Sequence, residues 1–174
     1  MRTLVLGGAR SGKSAFAEQL VATNTCLYVA TARPWPGDDD FAERIQEHRA
    51  RRPDSWQTED TTDAVDVLRA AHPSPTVLID DVGTWLTHVL DRRQAWEAAR
   101  GTVAADCAGL VAAIAAFPPE QDLIIVSPEV GMSVIPEHRA GRLFRDELGA
   151  LNTEIAQVCD QVFFVAAGLP LKLK

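Results

Sequence analysis

A glycine-rich segment near the start of the chain contains residue types that could hold phosphate groups. Its residues are Gly7, Gly8, Ala9, Arg10, Ser11, Gly12, Lys13 and Ser14, in the spacing G-x-x-x-x-G-K-S. Glycines allow backbone N–H groups to turn toward an anion, and the N-terminus of a following helix adds positive potential. In this pattern Lys13 would reach the β- and γ-phosphates of a nucleoside triphosphate, and the Ser14 hydroxyl would hold Mg²⁺.

The flanking sequence supports this interpretation of the segment, which we call the phosphate loop. The apolar run Leu4-Val5-Leu6 precedes it, and apolar residues with helical spacing follow it at Phe16, Leu20 and Val21. A strand, a loop and a helix in this order distinguish a nucleotide site from a chance match. The alternative is an ordinary glycine-rich turn between a strand and a helix.

A phosphate loop needs an acidic side chain at the end of another strand to hold Mg²⁺, directly or through water. Residues 76–81 read Thr-Val-Leu-Ile-Asp-Asp, an apolar run that ends in carboxylates. We expect Asp80 rather than Asp81 to take this role. The alternative is that the acidic residue only caps the helix that follows.

A second group of candidate residues lies on a predicted amphipathic helix over 39–52, which a proline ends. On this helix His48 lies about one turn from Arg44, Arg51 and Arg52. Nearby guanidinium charge disfavours imidazolium, so it would favour a neutral, nucleophilic ring, and the same arginines could hold phosphate oxygens. On spacing alone a plainer alternative is favoured, in which these arginines pair with neighbouring glutamates on a surface helix.

The composition limits what the chain can be. With 174 residues, 47% hydrophobic and 24% charged, we expect residues 1–174 to form one globular domain. A net charge of −7 argues against a nucleic-acid partner, which usually binds a basic surface. We expect no membrane span and a cytoplasmic location, because no apolar stretch approaches the roughly 20 residues that a span needs. The widely spaced Cys26, Cys107 and Cys159 lack metal-ligand spacing and are expected to be buried, reduced thiols.

Short apolar runs alternate with helical patterns along the chain. The predicted strands cover 2–6, 26–31, 76–80, 122–127 and 161–166, and the predicted helices cover 14–22, 39–52, 61–71, 83–92, 97–116 and 139–158. Strands that are apolar on both faces favour a parallel sheet covered on both sides. We therefore expect a three-layer α/β fold of the P-loop NTPase type. The alternating tail 169–174 predicts an antiparallel edge strand at the C-terminus.

Several further segments, together with the phosphate loop, resemble one protein family. They are Tyr28-Val29-Ala30-Thr31-Ala32, Arg44-Ile45-x-x-His48-x-x-x-Arg52-Pro53-x-x-Trp56-x-Thr58, Trp85-Leu86-Thr87, Glu129-Val130-Gly131-Met132-x-x-x-Pro136-Glu137, Gly141-Arg142-x-Phe144-Arg145-Asp146-x-x-Gly149-x-x-Asn152 and Ala167-Gly168-Leu169-Pro170-Leu171. From residue 3 to the C-terminus the chain is similar to the bifunctional adenosylcobinamide kinase/adenosylcobinamide-phosphate guanylyltransferases of cobalamin biosynthesis. The phosphate loop alone would be generic, whereas the histidine helix and the segments 129–137 and 141–152 are specific.

The resemblance implies two reactions on a corrinoid substrate. In the first, the aminopropanol hydroxyl of adenosylcobinamide takes the γ-phosphoryl group of ATP or GTP. In the second, a histidine attacks the α-phosphorus of GTP and holds GMP as a phosphoramidate, which the substrate phosphate then accepts to give adenosylcobinamide-GDP. His48 occupies the guanylylated position, and Lys13 is the other expected catalytic residue. The family assembles as a homotrimer.

The resemblance also implies which residues contact GTP outside the phosphate loop. They are Thr31, Ala32, Arg33, Arg49, Ala50, Arg51 and Arg52. Asp80 is expected at the nucleotide because it directly follows its own apolar strand, and it would hold Mg²⁺ there together with Ser14. An acidic residue after the tryptophan should join them, and Asp60 and the adjacent Glu59 both remain candidates for this position.

Three residues depart from the family pattern, and two other functions remain as alternatives. His88 and Pro128 stand where the family usually has asparagine, and Thr153 replaces a common glutamine, which bears on corrinoid contacts and active-site hydrogen bonding. The main alternative is a P-loop small-molecule kinase without a covalent histidine step. A GTPase-like switch is the other, although the Asn-Lys-x-Asp motif that usually reads guanine does not occur in the sequence.

Overall fold

The computed structural model describes residues 1–32, 43, 46, 49 and 52–174. Most of the helix predicted over 39–52 therefore lies outside the described residues. Within that span Glu43, Gln46 and Arg49 are helical and exposed.

Seven strands and five helices make up the described part of the chain. The strands are β1 (Arg2–Gly7), β2 (Leu27–Ala30), β3 (Gln57–Glu59), β4 (Thr76–Asp80), β5 (Asp122–Pro128), β6 (Gln161–Ala166) and β7 (Leu169–Lys172). The helices are α1 (Lys13–Gln19), α2 (Ala64–Arg69), α3 (Val82–Arg92), α4 (Ala104–Ala115) and α5 (Arg139–Val158).

All seven strands form one sheet in the order β3-β2-β4-β5-β1-β6-β7. Every pairing is parallel except that of β7 with β6, which is antiparallel. The predicted mostly parallel sheet with an antiparallel C-terminal edge strand is therefore confirmed. In this order the phosphate-loop strand β1 and the strand β4 that ends in Asp80 are separated by β5 alone.

Successive residues of β1 belong to different hydrophobic cores, because side chains alternate between the two faces of a sheet. Leu4 lies in the larger core, which α2, α3, α4 and α5 cover with residues such as Leu110 and Leu148. Val5 lies in the smaller core with Ala17 of α1. Helices thus cover both faces of the sheet, and the predicted three-layer architecture is confirmed.

Some predicted element boundaries were wrong. The edge strand β3 was not predicted, since its sequence Gln-Thr-Glu is polar and its strand conformation depends on pairing with β2. The helix predicted over 97–116 begins only at Ala104, after Gly101 with a positive φ of 82°. The helix predicted over 61–71 begins at Ala64 because Asp63 caps it, accepting a hydrogen bond from Val65 N at 2.9 Å.

The turn between β6 and β7 packs against the phosphate loop and is hydrogen-bonded to it. Ala167 and Gly168 both have positive φ, and Gly168 N donates to the Ser11 carbonyl at 2.8 Å. Gly12 also has a positive φ of 92°, and a Cβ there would lie 3.1 Å from Gly168 Cα. Glycine at position 12 thus satisfies both a backbone conformation and a close approach.

No helix among the described residues is long and apolar enough to cross a membrane.

Candidate nucleotide site

The phosphate loop joins the end of β1 to the start of α1. A Cβ at Gly7 would lie 2.7 Å from the Val165 carbonyl, so packing itself requires glycine there. At Gly8, by contrast, a Cβ would meet no described atom within 4 Å. The open space at Gly8 is where a phosphate could approach the backbone closely.

Two side chains of the loop lack the partners that a bound anion would provide. Lys13 is only 6% exposed, and the one hydrogen bond of its Nζ to a described residue is a long one, to the Gly8 carbonyl at 3.4 Å. The Ser11 Oγ atom is buried and makes no hydrogen bond with any described residue. Because buried polar groups normally have partners, both observations fit a loop that is completed by phosphate oxygens.

Asp80 lies between the phosphate loop and β2. Its Oδ1 accepts a hydrogen bond from Ser14 Oγ at 3.3 Å, and its Oδ2 accepts one from the Tyr28 hydroxyl at 2.5 Å. Burial and the neighbouring Asp80 carboxylate raise the pKa of Tyr28 above its usual value, so this hydroxyl stays protonated and donates. The role of Tyr28 was missed from sequence, although a buried tyrosine usually needs a partner for its hydroxyl.

Ser14 and Asp80 supply the kind of oxygen donors that Mg²⁺ prefers. Among the described residues no group of three or more His, Cys, Asp or Glu side chains could hold a metal ion. A Mg²⁺ ion at Ser14 and Asp80 would therefore need water and phosphate oxygens to complete its ligands, as is usual for Mg²⁺ with a nucleotide.

Asp81 caps helix α3. Its Oδ1 accepts a hydrogen bond from Thr84 N at 2.8 Å. Burial, and next the Asp80 carboxylate, raise the pKa of Asp81, while the Thr84 N–H and the positive charge of Lys13 lower it. Both carboxylates thus lie near the phosphate loop, but Asp80 is the one that accepts a hydrogen bond from Ser14.

Thr31 connects the ends of β2 and β4. Its backbone N donates to the Asp80 carbonyl at 3.0 Å, and its hydroxyl donates to the Asp81 carbonyl at 2.6 Å. His88 on α3 lies 2.9 Å from the Thr31 carbonyl through Nε2. His88 therefore contacts the segment that follows β2, and Ala32 comes directly after Thr31.

Arg52 packs on Tyr28 and is therefore the arginine of the described residues that lies beside the Tyr28–Asp80 pair. Its guanidinium carbon lies 3.5 Å from the centre of the Tyr28 ring, and Nη1 donates to Thr58 Oγ1 at 3.2 Å. Its Nε is buried and makes no hydrogen bond with a described residue. Arg49, in contrast, is exposed. Arg52 is thus held flat on Tyr28, whose hydroxyl bonds Asp80.

The two acidic candidates after Trp56 differ in their contacts. Oε1 of Glu59 accepts hydrogen bonds from Thr61 N at 2.8 Å, Thr61 Oγ1 at 2.7 Å and Thr62 N at 2.8 Å. The Thr61 hydroxyl and the N–H groups of Thr62 and Thr61 lower the pKa of Glu59 to about 2. Asp60 is exposed. Glu59 therefore organises its own loop, which leaves Asp60 as the stronger candidate for a ligand contact.

Several residues predicted from sequence lie outside the described residues: Arg33, Arg44, His48, Ala50 and Arg51. The described candidates lie along one edge of the sheet, at the carboxyl ends of parallel strands, with Gly7 ending β1, Asp80 ending β4 and Glu59 ending β3. Ligands of open α/β sheets bind outside this edge.

Comparisons with known proteins identify the family of the chain. A sequence model described as cobinamide kinase / cobinamide phosphate guanyltransferase matches residues 3–173. The bifunctional adenosylcobalamin biosynthesis protein CobP of Pseudomonas aeruginosa is 40% identical over 180 residues, covering 100% of this chain and 98% of that protein. The CobU proteins of Escherichia coli and Salmonella typhimurium, described in the same words, are each 36% identical over 185 residues and covered completely.

Two solved structures share the fold at low sequence identity. The P4 protein of bacteriophage phi6, in complex with ADP, has a TM-score of 0.51 at 15% identity, over 98% of this chain and 53% of that one. An ATPase of a type III secretion system of pathogenic bacteria has a TM-score of 0.56 at 12% identity, over 98% of this chain and 56% of that one. The chain thus spans about half the length of each, and the likeness concerns the fold alone.

The resemblance noted in the sequence is confirmed by these matches, which extend over nearly the whole chain. The chain belongs to the enzymes of the cobinamide kinase / cobinamide phosphate guanyltransferase family.

Proposed function

We propose that this enzyme phosphorylates adenosylcobinamide with ATP or GTP and then transfers GMP from GTP to adenosylcobinamide phosphate, giving adenosylcobinamide-GDP. The observation that carries this proposal is the arrangement around the phosphate loop. A buried Lys13, the open face of Gly8 and the Ser14–Asp80 pair, 3.3 Å apart, together form a site for a triphosphate. Family membership selects the acceptor, since the family description names cobinamide and its phosphate.

The triphosphate would lie along the carboxyl edge of the sheet. Backbone N–H groups of the phosphate loop and Lys13 would hold its β- and γ-phosphates. Ser14 and Asp80 would hold Mg²⁺, which when bound neutralises part of the phosphate charge. Arg52, fixed on Tyr28, would contribute its guanidinium to phosphate oxygens on the side of β2 and β3.

The guanylyl transfer would use His48 as a nucleophile. A neutral imidazole nitrogen attacks the α-phosphorus of GTP, the bond to the α,β-bridging oxygen breaks, and pyrophosphate leaves. An oxygen of the substrate phosphate then attacks the same phosphorus, the phosphorus–nitrogen bond breaks, and the histidine is restored. Splitting the transfer into two displacements is the general advantage of covalent catalysis.

A labelling experiment tests the histidine step. Wild-type enzyme incubated with α-labelled GTP should form an acid-labile, base-stable protein adduct, which His48→Ala should not form. His138→Ala is the matched control, because His138 is exposed and makes no side-chain capping bond to α5. If His48→Ala is labelled as strongly as the wild type, the nucleophile assignment is wrong.

The same variant separates this proposal from a simple kinase. His48→Ala should retain much of the phosphorylation measured with γ-labelled ATP, because only guanylyl transfer needs a protein nucleophile. A wild-type enzyme that phosphorylates adenosylcobinamide but never forms the adduct would instead be a P-loop small-molecule kinase. Equal loss of both activities in His48→Ala would assign that helix a structural role.

Three wider proposals accompany this function: the length and composition predict that residues 1–174 act as one catalytic domain, the resemblance implies a homotrimer, and the sequence features given above predict a cytoplasmic location. Analytical ultracentrifugation of the purified protein tests the second, and a monomeric or dimeric mass would contradict it. Cell fractionation tests the third.

A further inference from the structure

A cleft runs along the side of the sheet that α5 covers, near the last two strands. It encloses about 490 Å³. Its lining includes Leu6, Glu129, Gly149, Asn152, Thr153 and Val162. None of these residues is used by the nucleotide site described above, although Glu129, Gly149 and Asn152 belong to the two segments that carry the family resemblance most specifically.

The inner end of the cleft adjoins the phosphate loop. Glu129 follows β5, and its backbone N donates to the Gly7 carbonyl at 3.0 Å. The next carbonyl, that of Gly8, is the one nearest Lys13 Nζ. Since β5 lies between β1 and β4, Glu129 follows the strand that separates the phosphate loop from Asp80. A group bound at this end of the cleft would therefore be close to the γ-phosphate.

Gly149 leaves part of the cleft wall without a side chain. It lies in the interior of the 20-residue helix α5, although glycine is among the weakest helix formers. A Cβ at this position would meet no described atom within 4 Å, which is also true of Gly109 in α4. The absence of a side chain at Gly149 keeps this part of the cleft open.

The chemistry of the walls indicates what could occupy the cleft. Leu6 and Val162 are apolar, and Gln157 and Glu129 contribute an amide and a carboxylate. The amide of Asn152 and the hydroxyl of Thr153 are instead bonded within the protein. This mixture suits part of an amphipathic ligand that has an apolar edge and amide arms, and the volume is typical of a site for a group of small-molecule size. One edge of a cobinamide, with its amide side chains and aminopropanol arm, has these properties, whereas the whole corrinoid is larger than the cleft.

We propose that this cleft binds the aminopropanol arm and the adjoining amide-bearing edge of the cobinamide acceptor, with the arm directed along Glu129 toward the phosphate loop. In the kinase reaction the arm's hydroxyl oxygen forms a bond to the γ-phosphorus, the bond from that phosphorus to the β,γ-bridging oxygen breaks, and the nucleoside diphosphate leaves. The hydroxyl proton passes to the Glu129 carboxylate. This inference rests on the proposed function for the identity of the acceptor.

Filling the cleft tests the inference. Gly149→Trp should raise the KM for adenosylcobinamide and for its phosphate by at least about tenfold, because the indole would occupy space that the acceptor needs. Labelling of the enzyme by α-labelled GTP needs no acceptor and should keep its wild-type rate. The matched control is Gly109→Trp, at another helical glycine with open space around its Cβ, which should change neither.

The outcomes separate the inference from the proposed function. Unchanged acceptor KM values in Gly149→Trp overturn the cleft assignment, even where labelling proceeds normally. A change in sedimentation confined to Gly149→Trp also overturns it, because the cleft would then face another subunit. If the wild type forms no GMP adduct, the histidine mechanism is wrong. The cleft assignment is then still tested by comparing the affinity of the wild type and of Gly149→Trp for cobinamide.

A second variant tests the role of Glu129. Oε1 of Glu129 accepts a hydrogen bond from Gly131 N at 2.5 Å, and a glutamine oxygen can accept the same bond. Glu129→Gln should therefore preserve the loop while lowering kinase kcat by about 100-fold or more. An unchanged kcat would rule out proton transfer to Glu129.

Discussion

The hydroxyl of Tyr28 donates a hydrogen bond to Oδ2 of Asp80 at 2.5 Å. The opposite oxygen of that carboxylate faces Ser14 of the phosphate loop. Tyr28 is almost completely buried, and the Arg52 guanidinium lies on its ring. One aromatic side chain therefore orients the proposed metal-binding carboxylate and also supports an arginine of the proposed triphosphate site.

Tyr28→Phe should weaken the binding of Mg²⁺ and lower both activities without abolishing either. Loss of the hydroxyl leaves Asp80 Oδ2 without its donor, which typically costs about 1–3 kcal/mol in a buried setting. We expect a higher Mg²⁺ concentration for half-maximal activity and a kcat/KM about tenfold lower. Asp80→Asn should be more damaging, because it removes the charge itself. A Phe variant with wild-type Mg²⁺ dependence would contradict the orienting role.

Arg52→Lys should raise the KM for GTP although it keeps the positive charge. The planar guanidinium lies 3.5 Å from the Tyr28 ring centre and also bonds Thr58, and an ammonium group cannot reproduce this arrangement. Cation–π contacts contribute about 0.5–2 kcal/mol, so we expect an increase of about two- to thirtyfold. Steady-state kinetics measure it, with the exposed Arg69→Lys as control. Equal KM values for Arg52→Lys and wild type would show that charge alone matters.

The central strands and the phosphate loop could be predicted from sequence because their signals are local. Buried parallel strands are apolar on both faces, and β4 and β6 have the bounds that were expected. The polar strand β3 carries no such signal, since its conformation depends on pairing with β2. For the same reason the sequence did not show which residues lie around Asp80, because the Tyr28 contact spans 52 positions.

Lys13→Ala should strongly reduce both activities, since each requires the triphosphate to be held at the phosphate loop. Lys13 is nearly buried beside Gly8, so the longer, planar side chain of Lys13→Arg should not restore activity. We expect a loss of at least about 100-fold in kcat/KM, equivalent to about 2.7 kcal/mol. Labelling by α-labelled GTP and phosphorylation by γ-labelled ATP measure the two reactions. Unchanged kinase turnover would contradict this role.

Variants of Glu59 and Asp60 should have different effects, because Glu59 has a structural role and Asp60 is expected to contact the ligand. Asp60→Asn should raise the KM for GTP and leave the free energy of unfolding unchanged. Glu59→Gln should lower the free energy of unfolding at neutral pH by less than about 1 kcal/mol, because the Glu59 carboxylate is largely open to solvent. The pKa of Glu59 lies near 2 rather than at its ordinary 4.5, so its contribution is fully present above about pH 4.5. It is lost progressively as the pH falls toward 2.

Urea unfolding of wild type and Glu59→Gln at pH 7, 4 and 3 measures this difference. The gap between their free energies of unfolding should shrink at each step toward acid, since protonated glutamate resembles glutamine. A gap that stays constant over this range would mean that the loop hydrogen bonds do not depend on the charge of Glu59.

Asn152 should be more important for stability than its neighbours on α5. Ser127 Oγ donates to Asn152 Oδ1 at 2.6 Å, and Asn152 Nδ2 donates to the Pro128 carbonyl at 3.1 Å. Asn152→Ala leaves the buried Ser127 hydroxyl and the half-buried Pro128 carbonyl without this partner and should cost about 2–4 kcal/mol, whereas Ser127→Ala should cost about 1–2 kcal/mol. The exposed Thr153→Ala should remain within about 0.5 kcal/mol of wild type.

A double-mutant cycle distinguishes a bonded pair from two independent sites. Because each single variant already breaks the Ser127–Asn152 bond, the double variant should be less destabilised than the sum of the two, by about 1 kcal/mol. Urea denaturation with a common m-value measures all four proteins. Simple additivity would show that Asn152 acts through Pro128 alone, so that the amide fixes the end of β5 independently of the serine hydroxyl.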